Sequence, residues 1–426
     1  MVVAPIVPAE LPRLRSLLAS MNLRPGLLNA DNALIPFARF DELHFARLII
    51  LEDRTQEDIA VYGQEPFNFP PSLVFLGDFD GVRDVFIEKL VRRAGAGLRE
   101  IFSCCEGFDQ GAELTQWINA HEQRPATMYV NWIGRTMRQV REENALHHML
   151  ASHVDENYAP LAGHSPLEIR RCLQQFVKTA LEESRLTLTP VPATPWVWRM
   201  HNLLHLMAMP LVLLLLTPVL LLAVPFYLSW LAQLERTDPE VIPAPDRRHV
   251  AQLAALEDHH TANQFSALGT LKPGAFRRWS LVFYLWLVDW GVRHVYNRGH
   301  LTRVNSIHFA RWVFLNDRRR LFFASNYDGS LESYMDDFIN KVAWGLNLVF
   351  THGVGYPRTR WLIFEGAKDE QKFKKYIRRH ELPTEVWYHA HPGLTTPDLQ
   401  RNTLIREGLE KSQMTEEEAS TWLALI

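Results

Sequence analysis

Two stretches of this 426-residue chain repeat each other, and a long apolar segment lies between them. His44-Phe45-Ala46-Arg47 heads the run HFARLIILED, and His308-Phe309-Ala310-Arg311 heads HFARWVFLND. Each leads into a second apolar run ending in Asp-Gly, LVFLGDFDG at 73–81 and LFFASNYDG at 321–329. From there the register holds without a gap. Asp80 and Asp328 are 248 positions apart, as are Leu98 and Leu346, Phe102 and Phe350, and Cys104 and His352. His121-Glu122 and His380-Glu381 form a third match. A repeat of this size is one supersecondary unit used twice.

The element order is clearest in the second copy. Residues 263–272 alternate as a strand does, and Pro273-Gly274 turns the chain into a helix over 275–296. Strands follow at 307–315 and 321–327, then a helix over 330–350 with Asp328 or Ser330 as its N-cap. A strand at 360–364 completes β-α-β-β-α-β, the split βαβ of ferredoxin-like units. An extra helix (368–380), an extra strand (385–389) and a polar helix (397–411) close the copy. The first copy follows the same plan, with strands at 2–6, 44–51, 73–79 and 127–131 and helices at 10–21, 82–102 and 112–121. It has no counterpart of 360–364. The expected fold is α+β: tandem ferredoxin-like repeats pairing as a dimeric α+β barrel, with an inserted apolar helical hairpin. The expected boundaries are 1–150 for the first repeat, 151–195 for a linker helix, 196–235 for the hairpin, 236–256 for a connector and 257–426 for the second repeat.

No Asp, Glu, Lys or Arg occurs between Arg199 and Glu235. Such a stretch suits lipid, and Trp196, Trp198, Tyr227 and Trp230 flank it as interfacial aromatics do. The competing interpretation is a buried core helix or an inter-domain hairpin. A single pass would separate two copies that must pair. Pro210, Pro218 and Pro225 interrupt the run, so a broken hairpin over 203–231 with Pro218 near its tip is expected. That makes the chain monotopic or re-entrant. Arg199, Arg277 and Arg278 favour the cytoplasmic face of the cell membrane.

The net charge of −3 offers no basic field for nucleic acid. Cys104, Cys105 and Cys172 supply no disulfide framework, and the start MVVAPIVPAELPRL lacks the basic region of a signal peptide. Walker A, Rossmann, G-x-S-x-G and CxxC phrases are absent, which argues against nucleotide, NAD and serine-hydrolase chemistry.

Four groups of residues are candidates for chemistry. Arg311 sits in an apolar strand and needs an anion. Asp328 is the nearest repeat-matched acid, so the pair is either structural or a clamp with a proton acceptor. The Asp-Gly phrases serve chemistry or merely cap the following helix. Among 18 histidines, several cluster in the second copy: His308, His352, His380, His389 and His391. His308, His352 and His380 are the candidate metal or axial-haem ligands, set against the commoner role of a satisfied core histidine. Asn263, Gln264 and Lys272 either line a pocket and bind a cofactor carboxylate or belong to an ordinary edge strand.

The element order and duplication resemble the dimeric α+β barrel superfamily, which includes dye-decolourising peroxidases and chlorite dismutases. Gly77-Asp78-Phe79-Asp80-Gly81 fits the G-x-x-D-G phrase in which the former keep their distal acid, whereas Ser325-Asn326-Tyr327-Asp328-Gly329 lacks the first glycine. The chain is also similar to a bacterial family sharing the phrases HFARW, SNYDGSLESY and GYPRTRW, a likeness that implies no particular chemistry. The superfamily likeness implies a peroxidase-like oxidoreductase, and the apolar segment implies that it is anchored to a membrane. It would hold haem or another metal in the second copy and act on a peroxide or a lipid-derived substrate. The rival expectation is a non-catalytic membrane-surface protein that binds lipid or a partner.

Overall fold

The computed structural model describes residues 1–426, which form two compact units. The larger holds Met1–Ile133 and Pro195–Pro392, and the smaller holds Gly134–Thr194 and Gly393–Ile426. The first segment of the larger unit contains β1 (Val2–Pro5), α1 (Leu11–Ser20), the small hairpin β2 (Asn22–Arg24) and β3 (Leu27–Leu28), β4 (Leu43–Leu51), β5 (Ser72–Phe79), α2 (Arg83–Phe102), α3 (Leu114–Ala120) and β6 (Thr127–Val130). The smaller unit opens with α4 (Met137–Glu156), α5 (Tyr158–Leu161) and α6 (Pro166–Glu182). The larger unit resumes with α7 (Trp196–Thr237), α8 (Arg247–Ala254), β7 (Ala262–Thr270), α9 (Ala275–His294), β8 (Ile307–Leu315), β9 (Arg320–Asp328) and α10 (Leu331–Phe350). It ends with β10 (Thr359–Arg360), β11 (Phe364–Glu365), α11 (Glu370–His380) and β12 (Thr384–His389), after which α12 (Thr396–Glu410) and α13 (Glu416–Leu423) complete the smaller unit.

Two antiparallel four-stranded sheets run β1-β5-β4-β12 and β6-β8-β9-β7. Three strands of each come from one half of the sequence, and the fourth comes from the other half. Alternation along the strands sorts the residues. In β4, Leu48 and Ile50 face out toward Leu14, Phe86, Leu90 and Leu98 of α1 and α2, whereas Ile49 and Leu51 face in. In β8, Ala310 and Trp312 face out beneath α9 and α10, whereas Val313 and Leu315 face in. The two inward faces meet through Ile49, Val74, Leu76, Leu268, Phe322 and Leu382. The result is a sandwich with helices outside, not the expected barrel. At each corner the ladder shrinks to one isolated bridge, Val2↔Glu122 in one place and Ala267↔Glu381 in the other, so the sheets stay separate.

The repeated His-Glu therefore marks the crossing of each last strand between sheets. His121 and His380 each bond through Nδ1 the carbonyl four residues earlier, of Trp117 and Tyr376, closing the preceding helix. The following glutamates are ion-paired, Glu122 to Arg83 at 3.1 Å and Glu381 to Arg378 at 3.3 Å.

Other elements differ from expectation. The 360–364 stretch lies in β10–β11, a hairpin of two-residue strands that pairs with neither large sheet. The expected linker helix belongs, with α12 and α13, to the smaller unit, whose core holds Leu146, Leu173, Val177, Ile405 and Trp422. Thr136/Gln139 and Ser165/Glu168 capping boxes start α4 and α6.

The expected broken hairpin is instead one continuous 42-residue helix, α7, with all three prolines inside it. It is long and apolar enough to cross a membrane, and only 6% of its most apolar window is buried. Proline removes an N–H and frees the carbonyl four residues earlier. For Pro210 that carbonyl is Leu206 O, and Trp290 Nε1 of α9 donates to it at 3.1 Å. A partner supplied from outside the helix lets the chain continue through the proline. Further along, the Tyr227 hydroxyl bonds those of Ser280 (3.1 Å) and Tyr284 (2.8 Å) on α9.

Candidate functional site

The histidine, phenylalanine and arginine of the repeated HFAR phrase each have a counterpart placed alike in the other half. The ladder is bulged at the histidine in both, between Leu43 and Phe45 and between Ile307 and Phe309. A bulge re-aims its extra side chain. His44 Nε2 thereby reaches Asp80 Oδ1 at 2.9 Å, and His308 Nε2 reaches Asp328 Oδ1 at 2.6 Å. The phenylalanines cross over. Phe45 packs edge-on against His308 at 5.1 Å between ring centroids, and Phe309 against His44 at 5.6 Å.

The arginines also cross between sheets. Arg311 donates to Asp78, and Arg47 donates to Asn326. Asp78 and Asn326 occupy the same position in the two halves, two residues before the aspartate that holds histidine. The expected Arg311–Asp328 pair is therefore not formed. Asp328 points to the bulged histidine, and the arginine needs an acid on the facing sheet. Arg47 also donates to Phe265 O (2.9 Å), Ser266 Oγ (2.9 Å) and Ser325 O (3.0 Å), and lies over the Trp387 ring at 5.0 Å. Asn326 Nδ2 donates to Asp78 Oδ2 at 3.0 Å and joins the two arms. Burial pushes both guanidinium pKa values down to about 9, Arg311 with a further contribution from the Arg47 charge. Both stay charged at neutral pH, and one carboxylate serves two buried cations.

Beside this centre stands His391, buried, with neither ring nitrogen bonded. Its ring lies 5.2 Å from that of His308 and 5.0 Å from that of Phe45. Burial first, then the nearby imidazoles of His308, His44 and His389, hold it well below the ordinary histidine range. His389 is pushed down to about 4 by burial and by His260 and His308.

The remaining candidates lie elsewhere. Asn263 Nδ2 donates to His260 O (2.7 Å) and Gly329 O (2.9 Å), a local tie at the Asp-Gly turn. Gln264 is buried in β7 opposite Asn326 of β9. Lys272 Nζ bonds Asp238 Oδ2 at 2.9 Å, just past the end of α7, and Arg277 Nη2 bonds the same oxygen at 2.5 Å. Burial pushes Lys272 down to about 8. His352 lies fully buried nearby with both nitrogens unbonded, held well below its usual range by burial and by Arg277 and Lys272. His380 Nε2 is likewise unbonded and lines a cavity of only about 30 Å³. His308, His352 and His380 do not come together, and no group of three His, Cys, Asp or Glu residues is arranged to hold a metal ion.

A larger cavity of about 230 Å³ lies between α9 and α10. Val288, Val292, Leu301, Trp312, Val342 and Leu346 line it, and no histidine does. The backbone of α10 departs from helical geometry at Val342, within this wall. Cofactor and drug-sized sites usually run to roughly 300–1,000 Å³ with a few placed polar groups. Neither cavity suits a haem held by these residues: the one that His380 lines is too small, and the larger one is lined by no imidazole.

Sequence reasoning missed Asp78 as the acid for Arg311, Asn326 as its counterpart, and the cluster of Arg277 with Asp238. The first two were findable, since the 248-residue offset aligns Asp78 with Asn326, the one charge difference between the phrases LVFLGDFDG and LFFASNYDG. No family model, curated protein or solved structure matches the chain.

Proposed function

We propose that this protein works at a membrane surface, on the cytoplasmic side, and takes an apolar chain such as a lipid acyl segment into the cavity between α9 and α10. The cavity carries this proposal: it is lined almost wholly by apolar side chains, Tyr296 and Thr302 apart, and belongs to the same helix, α9, that packs on α7. Its volume suits a segment of chain better than a ring cofactor. We further propose that the scaffold is a duplicated ferredoxin-like unit, supported by identical strand order in the two sheets and by the reciprocal HFAR contacts.

Gly291 tests the proposal cleanly. It lines the cavity, and a Cβ added there meets nothing within 4 Å. Gly291→Phe should fill the space without moving backbone. Displacement of a fluorescent fatty acid from the purified protein should be lost in the variant while its circular dichroism is kept. Unchanged binding would sink the proposal.

A second function, oxidoreductase chemistry on a peroxide or lipid-derived substrate, is favoured by one observation. The His308–Asp328 pair adjoins the unbonded imidazole of His391. Turnover abolished by Asp328→Asn but not by Asp80→Asn would support it.

A further inference from the structure

The hairpin β10–β11 has a turn, Trp361-Leu362-Ile363, whose backbone is unusual for its residues. Trp361 and Leu362 have φ of +56° and +61°, and Glu365 has +62°. Left-handed geometry is natural for glycine or asparagine and strained for bulky side chains. The strain is held from below. The buried Glu235 carboxylate, in the last turns of α7, accepts hydrogen bonds from Trp361 N (2.8 Å), Leu362 N (2.9 Å) and Thr359 Oγ1 (3.0 Å). On the other side, Asn347 Nδ2 of α10 donates to Ile363 O (3.2 Å) and Glu365 O (2.9 Å).

Only Leu362 turns inward. Trp361 is 43% exposed, Ile363 37% and Phe364 45%. Arg360 lies over the Phe364 ring at 5.6 Å, and the exposed Arg358 donates to Asp238 O at 3.1 Å. A turn needing only left-handed geometry is most cheaply built with glycine. This one retains a tryptophan and presents three apolar side chains flanked by Arg358 and by Arg360, whose guanidinium also pairs with the exposed Glu365 at 3.3 Å. It is bonded directly to the exposed apolar helix α7, whose Trp230 is also exposed.

We propose that the 359–365 hairpin is an insertion loop that seats Trp361, Ile363 and Phe364 in the interfacial zone of a bilayer, with Arg358 and Arg360 on anionic headgroups. It rests on the membrane proposal above. Tryptophan and arginine suit that zone because one end of each prefers apolar surroundings and the other stays wet. The bond to Glu235 fixes the loop at the base of α7, so helix and loop meet the same surface. Strain supplies rigidity: the apolar side chains are held outward before contact, and little ordering remains to be done on binding.

The test uses the full-length protein with Cys172→Ser and Phe364→Cys. Cys104 and Cys105 are buried, so an environment-sensitive dye goes to position 364 alone. Vesicles of phosphatidylcholine with and without phosphatidylglycerol are added. The dye should shift to the blue, resist iodide and be quenched by lipid-borne nitroxides, more strongly with phosphatidylglycerol present. Trp361→Gly gives a second signature. It should relieve strain and raise the thermal midpoint while weakening vesicle partition by about tenfold. Protein that floats with vesicles while the dye stays water-exposed would overturn the loop and leave the membrane proposal standing. Protein that does not float at all would overturn both. A dye shielded only as protein concentration rises, without vesicles, would make the surface a self-contact and overturn the loop.

Discussion

Arg311 reaches across the sandwich to Asp78, whereas its counterpart Arg47 meets Asn326, the neutral residue at the equivalent position. Breaking a buried pair by removing one partner costs about 3–5 kcal/mol, far more than the pair contributes against an apolar replacement. Asp78→Asn should therefore destabilise the fold by that order in urea titration, since it leaves two buried guanidiniums with no carboxylate. Replacing Asp78 and Arg311 together by apolar residues should cost clearly less. Equal costs would show that the charge balance is not what holds the sheets.

Acid should loosen the end of the sandwich where the histidines gather. The folded pKa of His389 is lowered to about 4, below the unfolded value near 6.5. The unfolded chain then binds more protons between those values. Stability is fully present above about pH 6.5 and falls as pH drops toward 4. His391 acts in the same direction. A urea midpoint measured across pH 4–8 should show the slope, and His389→Gln should flatten it.

The two bulged histidine–aspartate pairs give a test of symmetry. If both serve as interlocks, Asp80→Asn and Asp328→Asn should each cost about 1 kcal/mol in thermal or urea unfolding. A loss confined to one of them would show that the two pairs differ in what they support.

Trp290 and Pro210 should be coupled. Trp290→Phe removes the indole donor to Leu206 O and should cost about 1 kcal/mol in detergent-solubilised protein. In a Pro210→Ala background the helix restores its own N–H, and the same change should cost close to nothing. A double-mutant cycle without coupling would refute this role for the indole.

Most elements of the larger unit are legible in the sequence because hydrophobic alternation and the repeat reinforce each other. The strands beginning near His44 and His308 and the helices after Asp80 and Asp328 lie within a residue or two of where pattern places them. Three things are not legible. Trp290 satisfies the Leu206 carbonyl from another helix, so Pro210 reads as a break where none occurs. Trp361 and Leu362 lie in a continuous apolar run that reads as a strand yet form a left-handed turn, because Glu235, more than a hundred residues away, supplies the acceptor. Arg311 finds its acid on the facing sheet, and strand order decides that.

The exchange of last strands has a consequence during synthesis. β4 takes β12 as its neighbour, and more than three hundred residues separate them in the chain. At roughly 5–20 residues per second the ribosome needs tens of seconds to cover that distance. Throughout that interval one edge of β4 has no permanent partner, and a bare strand edge is an invitation to mispairing. α7 emerges within the same interval. Any early capture of α7 by a bilayer would hold the half-built first sheet at a surface, away from other nascent chains, until its final strand arrives.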